Sequence, residues 1–196
     1  MSLTLLTPPA AEPVSLAEAK TRLRIGDDAH DAAVTLWIKA ARERVERDTG
    51  RALLSQVWVE RRDGWTGDGQ PDGRMMAFGT RFRLLRPPLI AVEAVTIYDA
   101  EDAPSEWDPA AFFVDAASDP GRIALRHGED WPQPGRATGG IEIRFRCGYG
   151  DSPEDVPAPL REAVLQLVAA MADGGPETGM PASAASLIAP YRSVRL

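Results

Sequence analysis

The chain has 196 residues, 44% of them hydrophobic and 26% charged, a balance that excludes a collagen-like, coiled-coil or wholly disordered protein. Its 22 Lys and Arg against 29 Asp and Glu leave a net charge of -7, which disfavours the broad basic footprint of a general nucleic-acid binder. Cys147 is the single cysteine, so neither an intrachain disulfide nor a thiolate metal cluster can form. Residues 1–11 do not read as an export leader, and no apolar run predicts a membrane span.

Pro8, Pro9 and Pro13 make the start of the chain an extended arm. It leads into Ser15-Leu16-Ala17-Glu18, a capping-box pattern that predicts a short helix from Leu16, closed by the turn at Gly26, Asp27 and Asp28. From Asp31 onward Val34, Trp37, Ile38, Ala41 and Val45 share one face, while Lys39, Arg42, Glu43, Glu46 and Arg47 fall largely on the other. This second helix should end near Thr49, with Gly50 as its left-handed cap.

Beyond Gly50 the period shortens. Val57, Trp58 and Val59 read as strand, residues 65–73 as a Gly- and Asp-rich loop, and 82–85, 92–98, 112–114, 123–125 and 141–147 as further strands separated by prolines. Ile141, Ile143 and Phe145 alternate with Glu142, Arg144 and Arg146, the pattern of a sheet with one buried and one wet face. The expectation is a compact antiparallel sheet or small sandwich. Pro157 and Pro159 introduce a third helix over 160–172, apolar nearly all round and hence surrounded by protein. Residues 173–186 are small, polar and proline-containing, a flexible linker to an apolar and basic tail, 187–196.

Catalytic patterns are sparse. His30 and His127 are the only histidines, and no Gly-x-Ser-x-Gly elbow accompanies them. Asp27, Asp28, His30 and Asp31 have the donor types of a cation site, but a solvated helix N-terminus favoured by its dipole explains them more simply. Glu129 and Asp130 beside Trp131 outline a sugar-binding corner, against which stands a polar loop anchored by a buried aromatic. Gly139-Gly140 and Gly148-Tyr149-Gly150 lack the Lys-Ser/Thr of a phosphate loop and read as turns. Arg81, Arg83 and Arg86, like Arg144 and Arg146, form stripes that suit a channel wall or a solvated sheet face. Tyr191 and Arg192, behind the linker, have the residue types of a docking peptide, or of a tail that folds back on its own domain.

The segments VSLAEAK (14–20), LRI (23–25) and IKAARERVERDTGRAL (38–53), then FRCGYGD (145–151), VPAPLREA (156–163), Leu187 and PYR (190–192), recur in an order that resembles the head–tail connector, or adaptor, family of long-tailed bacteriophages and phage-derived gene transfer agents. The resemblance implies an α+β fold: a small helical bundle, two N-terminal helices plus a C-terminal one, with an inserted antiparallel β domain and a flexible C-terminal tail. The corresponding division is 1–53 for the arm and helical part, 54–150 for the β domain, 151–172 for the bundle's last helix and 173–196 for linker and docking tail. It further implies a non-enzymatic virion protein of the neck, made in the bacterial cytoplasm, with no catalytic residue, cofactor or metal. Subunits of the family ring the underside of the portal, typically as dodecamers, and receive a stopper or tail-completion protein on the other face. DNA passes through such a ring without sequence-specific binding, and no membrane is involved. Leu187, Ile188, Tyr191 and Arg192 are then the residues expected to reach the portal. The alternative from another class is a carbohydrate-binding or hydrolytic β module using Trp107, Trp131 and neighbouring acids.

Overall fold

Ser15 and Glu18 close the expected capping box: the Ser15 hydroxyl accepts from the Glu18 amide, and the Glu18 carboxylate accepts from the Ser15 amide at 2.7 Å. In the computed structural model, which describes residues 1–65, 81–174 and 180–192, this box starts helix α1 (Leu16–Leu23). The helix ends at Arg24, held in the left-handed region at φ 58°, rather than at the Gly26 turn. Helix α2 (Asp31–Thr49) follows, capped by Gly50 at φ 74° as its sequence demands. Helix α3 spans Ala158–Ala172 and α4 spans Ala182–Ile188.

The chain divides into two compact units. The helical unit consists of Pro9–Ser55 and the described residues from Tyr149 to 192. Its core sets Val34, Ile38, Ala41 and Val45 of α2 with Leu160, Val164, Leu167 and Val168 of α3, together with Ala19 of α1. Between Pro159 and Ala172 no residue of α3 is fully exposed, as its broad apolar stripe requires.

Strands β1 (Ser2–Thr7), β2 (Gln56–Arg62), β3 (Arg81–Arg83), β4 (Leu89–Tyr98), β5 (Pro104–Glu106), β6 (Phe112–Asp115), β7 (Arg122–Leu125) and β8 (Ile141–Cys147) build the other unit. Five form an antiparallel sheet in the order β1-β2-β8-β4-β5, and three a second sheet in the order β3-β7-β6. The alternation of β8 is realised: Ile141, Ile143 and Phe145 are fully buried, while Arg144 and Arg146 face solvent. Glu60, buried on β2, connects the sheets; its carboxylate takes the Arg62 Nε donor and the Leu85 amide, and the Arg62 guanidinium lies 4.2 Å from the Phe82 ring centroid.

Three expectations need correction. The proline-rich start is not merely an arm, because Ser2–Thr7 pairs with β2 before Pro8 and Pro9 end the strand. Arg42 and Glu46 do not belong to a wet face of α2. Their side chains are 4% and 7% exposed, Arg42 bonding Glu12 and Glu46 at 2.8 Å each while Glu46 also accepts the Leu53 amide at 2.9 Å. Each buried charge has a partner, which is the condition for its burial. Finally, the C-terminal segment is not a flexible tail through 182–191: it forms α4 and a 3-10 turn, Ala189–Tyr191, with Ala184 and Ile188 fully buried in the helical core. Much of the predicted 65–73 loop, from 66 on, and residues 175–179 of the predicted linker lie outside the described residues.

Candidate functional site

The residues expected to dock fall in and just after α4. Ile188 lies one helical turn beyond Ala184, so both face the core and both are fully buried. Leu187 and Tyr191 are half-buried against the same core, and the Tyr191 carbonyl accepts a hydrogen bond from Arg51 Nε at 2.5 Å. Arg192 is exposed. The four residues are therefore together in the chain but divided in role: Ile188 anchors, while Leu187, Tyr191 and Arg192 remain accessible on the surface of the helical unit.

Ion pairs tie α1 to α3 elsewhere in the helical unit. Arg161 of α3 donates to the Pro13 carbonyl at 3.0 Å and to the Glu18 carboxylate at 2.5 Å, and Arg22 of α1 pairs with Glu162 at 2.9 Å. Hydrogen bonds from the backbone and side chain of Ser15, with Arg161 nearby, hold the Glu18 carboxyl below its usual range.

The acidic run before α2 is occupied by a protein cation. Lys20 Nζ stands 2.7 Å from both Asp28 and Asp31, and Asp27 accepts the Ala29 amide at 3.0 Å. Asp28 is held low and Lys20 high by this contact. Among the described residues no group of three His, Cys, Asp or Glu is placed to hold a metal ion.

Three tryptophans of the β unit face one another. Trp131 stacks on Trp65 with centroids 4.5 Å apart, Trp107 lies 4.7 Å from Phe112 and 5.5 Å from Trp65, and Trp65 Nε1 donates to the Pro132 carbonyl at 2.7 Å. Glu129 and Asp130 are exposed on the adjoining loop. An open cleft of about 340 Å³ beside Trp107 is lined by Asp99, Glu106 and Asp108, but Asp99 caps the Glu101 and Ala103 amides and Asp108 caps Ala110. Asp99 and Asp108 serve turns, and the aromatic rings pack on one another, so the sugar-binding reading gains no support.

The arginine stripes are solvated and partly paired. Arg81 and Arg83 flank the buried Phe82, Arg144 lies 3.3 Å from Glu93, and Arg86 leaves its stripe to cover Trp58, 4.7 Å from the ring centroid. Sequence reading missed two strands: β5, which begins at Pro104, a residue read as a separator, and β1, whose apolar Leu3, Leu5 and Leu6 were the available signal.

The pattern of phage gp6-like head-tail connector proteins matches residues 13–78 of this chain. A chain from the neck of an empty gene transfer agent (GTA) particle, computed with C6 symmetry, superposes with a TM-score of 0.79 at 26% identity, covering 100% of this chain and 97% of that one. A chain of the native GTA neck computed with C12 symmetry gives 0.76 at 26% identity over the same shares, and one from the native GTA virion shares the fold at 0.79 and 24% identity. No curated protein matches the sequence. The resemblance read from the two ends of the chain is thus borne out, as is the α+β class.

Proposed function

We propose that this chain is a non-enzymatic head–tail connector of the virion neck, a ring subunit that joins a DNA-filled head to its tail machinery. The observation that carries this reading is likeness over the whole length: helical unit and β unit together match a neck chain at 26% identity, and residues 13–78 independently match the connector family. The C6 and C12 symmetry of the similar necks supports a ring oligomer in the particle.

The finer assignment concerns partners. The portal binds one face of the ring and a stopper or tail-completion protein the other, with twelve copies per ring and DNA passing through without base readout. Leu187, Tyr191 and Arg192 supply the portal contact, an aromatic and an arginine beside an apolar side chain. Ile188 contributes by holding α4 in place. A chain of net charge -7 suits an assembly partner better than the polyanion it surrounds.

The test is localisation in the particle. A tagged copy, produced in its source and located by immunogold electron microscopy, should label the head–tail junction. Label over the capsid shell or along the tail shaft would refute the assignment. Separately, the double variant Tyr191→Ala, Arg192→Glu should lose capture of the portal protein while keeping its helical spectrum; undiminished capture would move the portal contact elsewhere.

A further inference from the structure

Each sheet of the β unit has one guarded edge and one bare edge. In the five-stranded sheet the β5 edge is three residues long and carries Pro104 and Glu106, and in the three-stranded sheet the β3 edge carries exposed Arg81 and Arg83. Short length, proline and charge are the usual devices that stop an edge from pairing with another chain. The opposite edges are less guarded, although β6 is only four residues long and ends in Asp115, and a bulge interrupts β1 between Leu5 and Thr7. Strand β1, Ser-Leu-Thr-Leu-Leu-Thr, contains no charged residue and no proline, and β6 presents Phe112, Phe113 and Val114 before its first charge, Asp115. Among the described residues neither strand has a neighbour on its outer side.

Successive residues of a strand point to opposite faces. On β6, Phe113 and Val114 are 51% and 40% exposed, and on β1 the exposed Thr4 and Leu5 precede a bulge at which Leu6 is 55% exposed, so at both edges the strand stands clear on both faces. Of these residues, Phe113 has a polar cover in Arg126, whose guanidinium sits 3.7 Å from the ring centroid. Two bare apolar edges in one unit expose main-chain donors and acceptors along with adjacent large side chains, which is a ready template for another strand.

We propose that the bare β1 edge of one copy pairs with the bare β6 edge of the next, so that the ring is closed by strand addition between β units. The proposal rests on the ring reading above. A cyclic ring needs a heterologous contact, in which one patch meets a different patch on the neighbour. Two unlike edges on each subunit meet that requirement, whereas a single self-complementary edge would stop at a dimer. The occupant of each edge is therefore a second copy of this chain: main-chain hydrogen bonds supply adhesion, and Leu5 and Leu6 meet Phe113 and Val114.

The test uses particles assembled in the source with the chain carrying Leu6→Cys and Val114→Cys. Native Cys147 is fully buried and does not compete for reagent. Paired strands lie about 5 Å apart, within reach of a short bifunctional maleimide. The doubly substituted chain should give a denaturing-gel ladder that runs past the dimer, and each single substitution should give monomer alone. Dimer from Leu6→Cys alone would show that β1 pairs with itself and overturn the proposal. So would particles that contain the chain but yield no ladder. Particles that lack the unsubstituted chain, prepared in parallel, would instead count against the connector reading.

A charge-reversal set gives a second readout that does not depend on cross-linking geometry. Leu6→Lys and Val114→Glu should each abolish incorporation of the chain into particles, while the double variant, which places opposite charges at every interface, should restore it. Normal incorporation of both single variants, or no restoration in a folded double variant, would overturn the pairing.

Discussion

Replacing Ile188 by alanine distinguishes an integral α4 from a loose tail. The side chain is fully buried among residues of the helical core, and the substitution removes three carbons, each worth about 0.8 kcal/mol on burial, or about 2.4 kcal/mol in all. A residual cavity would add to this, towards the upper range of about 5 kcal/mol for such truncations. The added term should be small here, because α4 has seven residues near the chain end and can shift to fill the space. The loss is also capped by the free energy that docks α4, since beyond that point the segment detaches. We therefore expect about 2 to 3 kcal/mol, read as a lower urea midpoint at unchanged slope in the helical circular dichroism of the full chain. Leu187→Ala, at a half-buried position on the same helix, should cost about half as much. A midpoint for Ile188→Ala within about 0.5 kcal/mol of the parent, the range of ordinary surface substitutions, would refute the packing of this segment.

Glu46→Ala should destabilise the helical unit by about 3 to 5 kcal/mol, because it strips Arg42 of one carboxylate and leaves the Leu53 amide without that acceptor; equilibrium unfolding of a variant as stable as the parent would contradict it. Asp115 is depressed to about 2 by the Ser118 hydroxyl and the Arg122 guanidinium, so its contribution is complete above the ordinary carboxylate value of 3.8 and fades as pH falls towards about 2. Carboxyl NMR should find that low midpoint, and Ser118→Ala should raise it towards 3.8; an unmoved midpoint would deny the contact. Oligosaccharides should leave tryptophan fluorescence unchanged, since Trp65, Trp107 and Trp131 pack on one another, and saturable quenching would revive the sugar-binding alternative.

The elements legible in the sequence were those whose signal is local. The capping box at Ser15, the glycine cap at Gly50 and the strict alternation of 141–147 each follow from a few adjacent residues. Tertiary pairing hid the rest. Arg42 and Glu46 looked solvated because a sequence does not show that Glu12 and the Leu53 amide will receive them. Residues 182–186 were read with the small, polar linker and Leu187 and Ile188 with the tail, yet Ala184 and Ile188, four apart, are enough for a short helix once α3 offers an apolar surface. Strand β1 was obscured by the prolines behind it, and its partner β2 lies some fifty residues away. Tyr191 and Arg192 were suggested by residue type and Leu187 and Ile188 joined them through the resemblance, while the bare edges of β1 and β6 became visible only with the strand order.

The connector assignment is tested most directly by deleting the gene in its source and viewing the particles by electron microscopy. The assignment predicts DNA-filled or spilled heads and free tails as separate objects, with joining restored by supplying the intact chain. Intact tailed particles in the deletion strain would contradict it.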